Sequence, residues 1–425
     1  MTQRITRRRF VQGIAAGAAL AGLPMPRTAA APMPIEDYKA ARMEARNRRR
    51  RIIMNNDGND VHHAEPGSPM TPEFFLSRRT TALLDSQVDS IFYCTGVFNY
   101  YMHPSEESEL LVREGVPGRF LNALLAQGTD PLDTMIAFCR AHDREIFWSM
   151  RMNDTHDSGN PDLLCQWKRD HPEYLVGKKD TPVPYLFGCN RWSSVDYGLE
   201  PVRDKVYRIL EDVCTRYDVD GIELDFFRHP VLFREQMIGK PITQEHRDKM
   251  TDLMRRIRAM TEQVGRERGK PILVGIRVPD SVGYLKALGI DLVPWLEADL
   301  LDVLVGGGYF HMTPWKDWAA LGHKHNVPTY ACLVSRRLRD GGQPEADTAS
   351  KIWRGEALNA WEAGVDGIYT FNRFNPEDAI FRELGDPELL ASLPHTDQQS
   401  FVADIWSRPE RWLKDGDRFV KRPAS

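Results

Sequence analysis

Cysteine is scarce, and none of it is spaced to hold a metal: six residues in 425, with no CxxC pair and no zinc-ligand pattern. Cys139, Cys214 and Cys332 fall inside apolar segments and read as core, whereas Cys165 and Cys189 share one long loop, where an oxidising compartment would let them pair. No Gly-rich phosphate loop follows the first predicted strand, which excludes an open doubly wound nucleotide-binding sheet. Positive charge is not in surplus either. The formal charge is −4, and the first 31 residues hold five arginines and no acid, so their removal leaves −9. That balance argues against a nucleic-acid partner. Long apolar runs are absent as well. The one uncharged stretch near the N-terminus, GIAAGAALAGLP, is short for a membrane span.

That stretch follows TRRRFV and precedes TAAAP, giving an arginine-rich region, an apolar region and a small-residue cleavage site in order. The Arg7-Arg8-x-Phe10 pattern resembles a twin-arginine export signal. The expected organisation is a leader over residues 1–31, one catalytic domain over 32–395, and a C-terminal extension over 396–425 packed against it. The mature protein is expected to be periplasmic or extracellular, with no membrane span of its own.

Between those ends, short β-branched or aromatic runs alternate with amphipathic helical segments. The runs are RIIMNND (51–57), SIFYCTG (90–96), EIFWSMRMND (145–154), GIELDFF (221–227), ILVGIRV (272–278), LLDVLVGGG (300–308), PTYACLVS (328–335) and DGIYTFN (366–372). Helical periodicity separates most of them, as in EPVRDKVYRILEDVCTRY; the link after the fifth run is the weakest. Eight such units predict a (β/α)₈ barrel with long loops at its C-terminal face. YDVDGI (217–222) and AGVDGI (363–368) are internal echoes, each running from a helix end into a strand.

The fourth strand places two acids in an apolar run. Side chains alternate along a strand, so Ile222, Leu224 and Phe226 suit the helix-facing side while Glu223 and Asp225 point inward. A buried carboxylate is costly unless it is paired or hydrogen-bonded. A salt bridge to Arg277 on the next strand satisfies that demand structurally; a catalytic carboxylate kept ionised by an arginine satisfies it functionally. Other strands end in polar residues at the same level: Asn56 and Asp57; Tyr93; Arg151, Asn153, Asp154 and His156; Arg228 and His229; Arg277 and Asp280; Tyr309; Arg336; Asn372 and Arg373. Barrel enzymes keep their sites at this face. The arginines among them match a carboxylate or sulfate fork, and suggest an anionic ligand.

The segment EPVRDKVYRILEDVCTRYDVDGIELDFFRHP (200–230) resembles the helix-to-strand signature of the glycosyl-hydrolase-like family 10 barrels, and WKRDHPEYL (167–175) resembles the preceding loop of that family. The resemblance implies cleavage of glycosidic bonds, with Asp225 in the acid position. Glu223 stands where the family more often has histidine, and Arg228-His229 replace an aromatic stretch. A chitinase-like strand is excluded, because Phe227 occupies the position of its final glutamate. The clan with a nucleophile at strand seven is excluded too, since PTYACLVS ends without a carboxylate.

The leading expectation is an exported glycoside hydrolase acting on a poly- or oligosaccharide, uronate-containing or sulfated sugars among its candidates, by two carboxylates. Asp225 is the expected nucleophile or base, Asp154 or Asp280 the proton donor, and Glu223 the reserve. Asn56, Asp57, Tyr93, Arg151, Asn153, His156, Arg228, His229, Arg277, Tyr309, Arg336, Asn372 and Arg373 are the expected substrate contacts. No cofactor or metal is required on this reading. Two others stay open: a non-catalytic glycan-binding barrel, and a metal-dependent sugar isomerase or lyase with ligands from Glu223, Asp225, Asp154 and His156 or His229.

Overall fold

A computed structural model describes residues 31–112, 114–180, 191–335, 337–338, 346–396 and 408–421. Residues 1–30 of the expected leader and the positions Cys189 and Arg336 lie outside the described residues, and with them the Cys165–Cys189 pairing. The eight predicted strands are all present: β1 Ile52–Asn56, β2 Val88–Tyr93, β3 Glu145–Arg151, β4 Gly221–Asp225, β5 Leu273–Val278, β6 Val303–Gly306, β7 Thr329–Val334 and β8 Gly367–Phe371. All neighbouring pairs are parallel, and β1 pairs with both β2 and β8, closing the barrel. Helices join the strands, as Glu200–Arg216 before β4 and Gln244–Arg268 before β5. No described helix is long and apolar enough to cross a membrane.

The alternation in β4 sorts as expected. Ile222, Leu224 and Phe226 join the large cluster between barrel and helices, while a second cluster inside the barrel holds Ile53, Phe92, Phe147, Tyr330, Tyr369 and Phe371. Gly221 belongs to this interior: a Cβ there would overlap the Phe147 ring, which stacks on Phe92 at 4.3 Å. Below these rings, Arg50 donates to both oxygens of Glu145 at 2.7 Å, and Ser90 donates to the same carboxylate at 2.6 Å. A buried ion pair with its remaining lone pairs satisfied is tolerated at such a site.

The internal echoes acquire a structural reason that extends beyond two strands. Asp220 and Asp366, at the starts of β4 and β8, accept the backbone N–H of Ile146 at 2.9 Å and Thr329 at 2.7 Å on the preceding strands. Asp89 in β2 and Asp302 before β6 do the same for Arg51 and Val274, each at 2.8 Å. Every even-numbered strand thus begins with an aspartate that clamps the entry of its odd-numbered neighbour. Each of the four also meets a cationic or imidazole partner: Arg51, Arg140, Arg42 or His323.

Two regions escaped the sequence reading. The helix Ile35–Arg46 buries Tyr38, Arg42 and Arg46, and docks its arginines on Asp299 and Asp302. A three-stranded sheet, Gly96–Val97, Tyr100–Tyr101 and Glu109–Leu110, stands on the segment after β2.

Candidate active site

Strand register decides what converges at the C-terminal mouth. Arg151, Asp225 and Arg277 are side-by-side partners on β3, β4 and β5, and Ser149, Glu223 and Gly275 form the row beneath. Asp225 Oδ2 accepts from Arg277 at 2.7 Å, and its Oδ1 accepts the amides of Phe227 and Arg228, each at 3.0 Å. Arg277 lies 4.0 Å over the Phe371 ring. The structural salt bridge anticipated for this pair is therefore present, and Asp225 is 1% exposed. Glu223 is fully buried one row deeper, its Oε2 accepting from Ser149 and from Tyr369 at 3.1 Å. Burial and the nearby Asp225 charge outweigh Arg277, Ser149 and Tyr369, and push its carboxyl up to about 7.

Above this pair a chain of alternating charge crosses the opening. It begins with Asp57 at the turn after β1, which accepts from Arg79 at 2.7 Å and lies 3.6 Å from Arg151. Arg151 donates to Asp154 at 3.0 Å, and Asp154 faces His156 Nδ1 at 2.7 Å. Arg228 then donates to His156 Nε2 at 3.2 Å and to the Tyr309 oxygen at 2.6 Å. Burial alone would raise the Asp57 carboxyl, but Arg151, Arg79 and Arg228 hold it below its ordinary value. Asp154 behaves in the same way: burial is overcome by His156, Arg151 and His229, leaving it well below the carboxylate range.

Three side chains in this assembly, Arg79, Trp412 and Arg191, were missed from sequence. Arg79 closes the chain from the helix Pro72–Arg79, and stacks 4.0 Å from the Phe374 ring. A basic last turn facing a strand-end acid was the available signal. Trp412 comes from the C-terminal segment and stacks on His229 at 5.6 Å and on Tyr309 at 6.5 Å, with Arg191 5.5 Å from its ring. No local pattern announces a contact that distant in sequence.

Several expected site residues have other duties. Asp154 was expected as a proton donor, but His156, Arg151 and His229 hold its carboxyl well below the usual range, which favours the charged form over a proton-donating one. Asp280 is fully buried and ties down the loop after β6, accepting from His311 at 2.6 Å and from the amides of Met312 and Thr313; His311 and those amides keep its carboxyl low against burial. Asn153 exchanges hydrogen bonds with Val195 and donates to the Val231 carbonyl, fastening the long loop to the exit of β4. Asn56 donates to Asp60 at 2.8 Å and caps its own turn, and Tyr93 is fully buried against Phe75. Arg373 turns to Asp378 at 2.6 Å, while Asn372 sits in the left-handed region at φ 57°.

A metal has a poor set of donors here. Asp154, His156 and His229 bring ligand atoms within 4.8 Å of one another. The Thr155 amide, however, donates to His229 Nδ1 at 2.9 Å, so that ring carries its proton on Nε2. The remaining nitrogen of His156 accepts from the Arg228 guanidinium. Burial, with Arg191 and Arg228 adding to the effect, holds His229 well below the histidine range; a neutral ring by itself suits a ligand, so it is the tautomer set by Thr155 that turns this one away.

The closed parallel barrel, with polar strand ends gathered at its C-terminal face, defines the class: a (β/α)₈ barrel. No protein-family model matches the chain, and no curated protein matches it in sequence. Among solved structures it is similar to α-L-fucosidase isoenzyme 2 from Paenibacillus thiaminolyticus, with 15% identity, TM-score 0.46, and 81% of this chain aligned to 49% of that one. It is also similar to the PgaB (BpsB) glycoside hydrolase domain from Bordetella bronchiseptica, with 12% identity, TM-score 0.45, and 76% of this chain aligned to 93% of that one. A GH36 α-galactosidase from Geobacillus stearothermophilus gives 11% identity, TM-score 0.44, and coverage of 84% and 44%. The chain thus spans about half the length of the fucosidase and of the galactosidase. Likeness at this level carries no argument about chemistry, which has to come from the mouth itself.

Proposed function

We propose that this protein cleaves glycosidic bonds in an anionic poly- or oligosaccharide, outside the cytoplasm, after export on its twin-arginine leader. One observation carries the reading. Arg228 is buried at the mouth and Arg191 is half-buried beside it, and neither has a carboxylate partner among the described residues. The other described mouth arginines are matched: Arg151 by Asp154, Arg277 by Asp225 and Arg373 by Asp378. Asp57 is close enough to feel the Arg228 charge but makes no ion pair with it, and a guanidinium fork with no carboxylate seated on it suits a carboxylate or sulfate ligand. The half-buried Tyr309 adds an aromatic group beside Arg228, backed by the buried Trp412. The sequence resemblance to family 10 barrels supports glycosidic bonds as the target and says nothing of the charge of the sugar.

Asp57 is the carboxylate we assign to stabilising charge on the sugar. Its side chain is 12% exposed, whereas that of Asp225 is 2% exposed and held by Arg277. The test is reducing-end release from uronate-containing, sulfated and neutral oligosaccharides. Release from the anionic members is expected, with Arg228→Gln raising KM about tenfold, the scale of one lost charge-assisted hydrogen bond. Release from neutral members alone contradicts the anionic assignment, and binding without release identifies a glycan-binding barrel. Activity is expected to persist in a chelator, because His229 and His156 are turned away from metal ligation.

A further inference from the structure

The acids highlighted by the sequence do not face the opening. Asp225, Glu223, Asp154 and Asp280 are each at most 1% exposed, and every one is engaged by hydrogen bonds. The groups that do reach it are His156, with 39% of its side chain exposed, and the half-buried Tyr309. Arg228 bridges them, one terminal nitrogen on His156 Nε2 and the other on the Tyr309 oxygen.

That geometry assigns the protons. With Asp154 against Nδ1, the His156 proton sits there, and Nε2 keeps a lone pair turned toward Arg228. Tyr309 accepts from Arg228, so its own hydrogen is free to be donated, and no acceptor for it occurs among the described residues. A Brønsted base and a Brønsted acid thus stand on either side of one guanidinium. The Nε of that guanidinium is buried and has no partner among the described residues.

We propose that the site breaks the glycosidic bond by β-elimination at a uronate, with His156 as base and Tyr309 as acid; this rests on the reading of the substrate as an anionic glycan. His156 Nε2 takes the proton from C5, beside the uronate carboxylate. The C5–H electron pair becomes the C4=C5 double bond. The C4–O4 bond breaks, and O4 leaves with the Tyr309 hydroxyl proton. His156 then returns its proton to the Tyr309 oxygen through solvent, so no water, oxidant or reductant is consumed. Arg228 and Arg191 hold the carboxylate, where the charge of the deprotonated C5 is delocalised. Asp154 is a positioning residue: it fixes the tautomer, and it offsets the Arg228 charge beside the imidazolium that forms.

Elimination and hydrolysis leave different products. The unsaturated uronide absorbs in the ultraviolet through its conjugated double bond, and is one water lighter than the hydrolysis product. The probes are polygalacturonate, alginate and a glucuronate-containing glycosaminoglycan, incubated with the full-length protein. The expected result is new reducing ends together with the absorbance and the lighter mass. His156→Gln and Tyr309→Phe are each expected to lower kcat roughly 100-fold or more, the usual share of a general acid or base, with unchanged thermal midpoints. Asp154→Asn is expected to lower kcat while leaving KM in place. Reducing ends without absorbance overturn elimination but leave glycan cleavage standing. Neither signal from any probe sinks both. Full absorbance from His156→Gln or Tyr309→Phe overturns the assignment of these two residues.

Discussion

At the residue scale, Glu223 shows how one strand position can be legible in place and not in state. Alternation along GIELDFF is enough to put both acids inside the barrel, because a one-residue slip would turn Ile222, Leu224 and Phe226 inward instead. Alternation says nothing of what meets each acid. Asp225 finds Arg277 and two amides, whereas Glu223 finds a hydroxyl from Ser149 and a phenol from Tyr369. The consequence is measurable. An unfolded glutamate loses its proton near its ordinary value, while folded Glu223, with burial the main cause, keeps it to about 7. Between those values the folded state binds more protons than the unfolded one, so stability falls as pH rises through this window and is level above it. Glu223→Gln removes the titration and keeps a side chain of the same shape. It is expected to flatten the pH dependence of urea denaturation between the ordinary glutamate value and about 7, and to be more stable than the parent above that window. An unchanged pH slope would mean that Glu223 is ionised in the fold.

At the scale of elements, the eight strands were readable because each buries an apolar run, and the helix Ile35–Arg46 was not because it buries arginine. Its docking depends on Asp302, a residue far away in sequence, so no local window contains the reason for its burial. Asp302 accepts from Arg42 at 2.8 Å, Arg46 at 3.0 Å, Arg258 at 2.6 Å and the Val274 amide at 2.8 Å. Burial opposes its charge, but the three arginines hold its carboxyl far below the ordinary range. The stability it contributes is present above the unfolded aspartate value, and is lost as pH falls toward the folded one. Asp302→Asn is expected to cost about 3–5 kcal/mol near neutral pH, the range for one partner removed from a buried ion pair. Measured by urea denaturation, the deficit should shrink as pH falls below the ordinary carboxylate value. Two of the four strand-entry aspartates were visible as the VDGI echo; Asp89 in VDSI and Asp302 in LDVL were masked by their neighbours. The same clamp recurs while the surrounding letters change, so spacing alone does not find it.

At the scale of the whole molecule, the mouth is built by parts of the chain that share no local signal. Asp57 follows the first strand, His156 and Arg228 leave the third and fourth, Tyr309 leaves the sixth, and Trp412 lies near the end. Strand order made the first four a predictable ring. Trp412 arrives instead on a segment held through the loops after β5 and β6: Tyr284 donates to the Pro409 carbonyl at 2.9 Å, and the Lys421 amide donates to Met312 at 2.6 Å. These ties are few, and none is part of the barrel ladder, so the segment should open on its own rather than with the barrel. Burying a large aromatic stabilises such a unit by about 1.5–3 kcal/mol. Trp412→Ala is therefore expected to speed amide exchange across residues 408–421 by roughly 10- to 100-fold, the rate equivalent of that energy, while amides in β1 to β8 keep their protection. Faster exchange throughout the strands would instead make the segment part of the barrel's cooperative unit, and Trp412 a core residue rather than a roof over Tyr309 and His229.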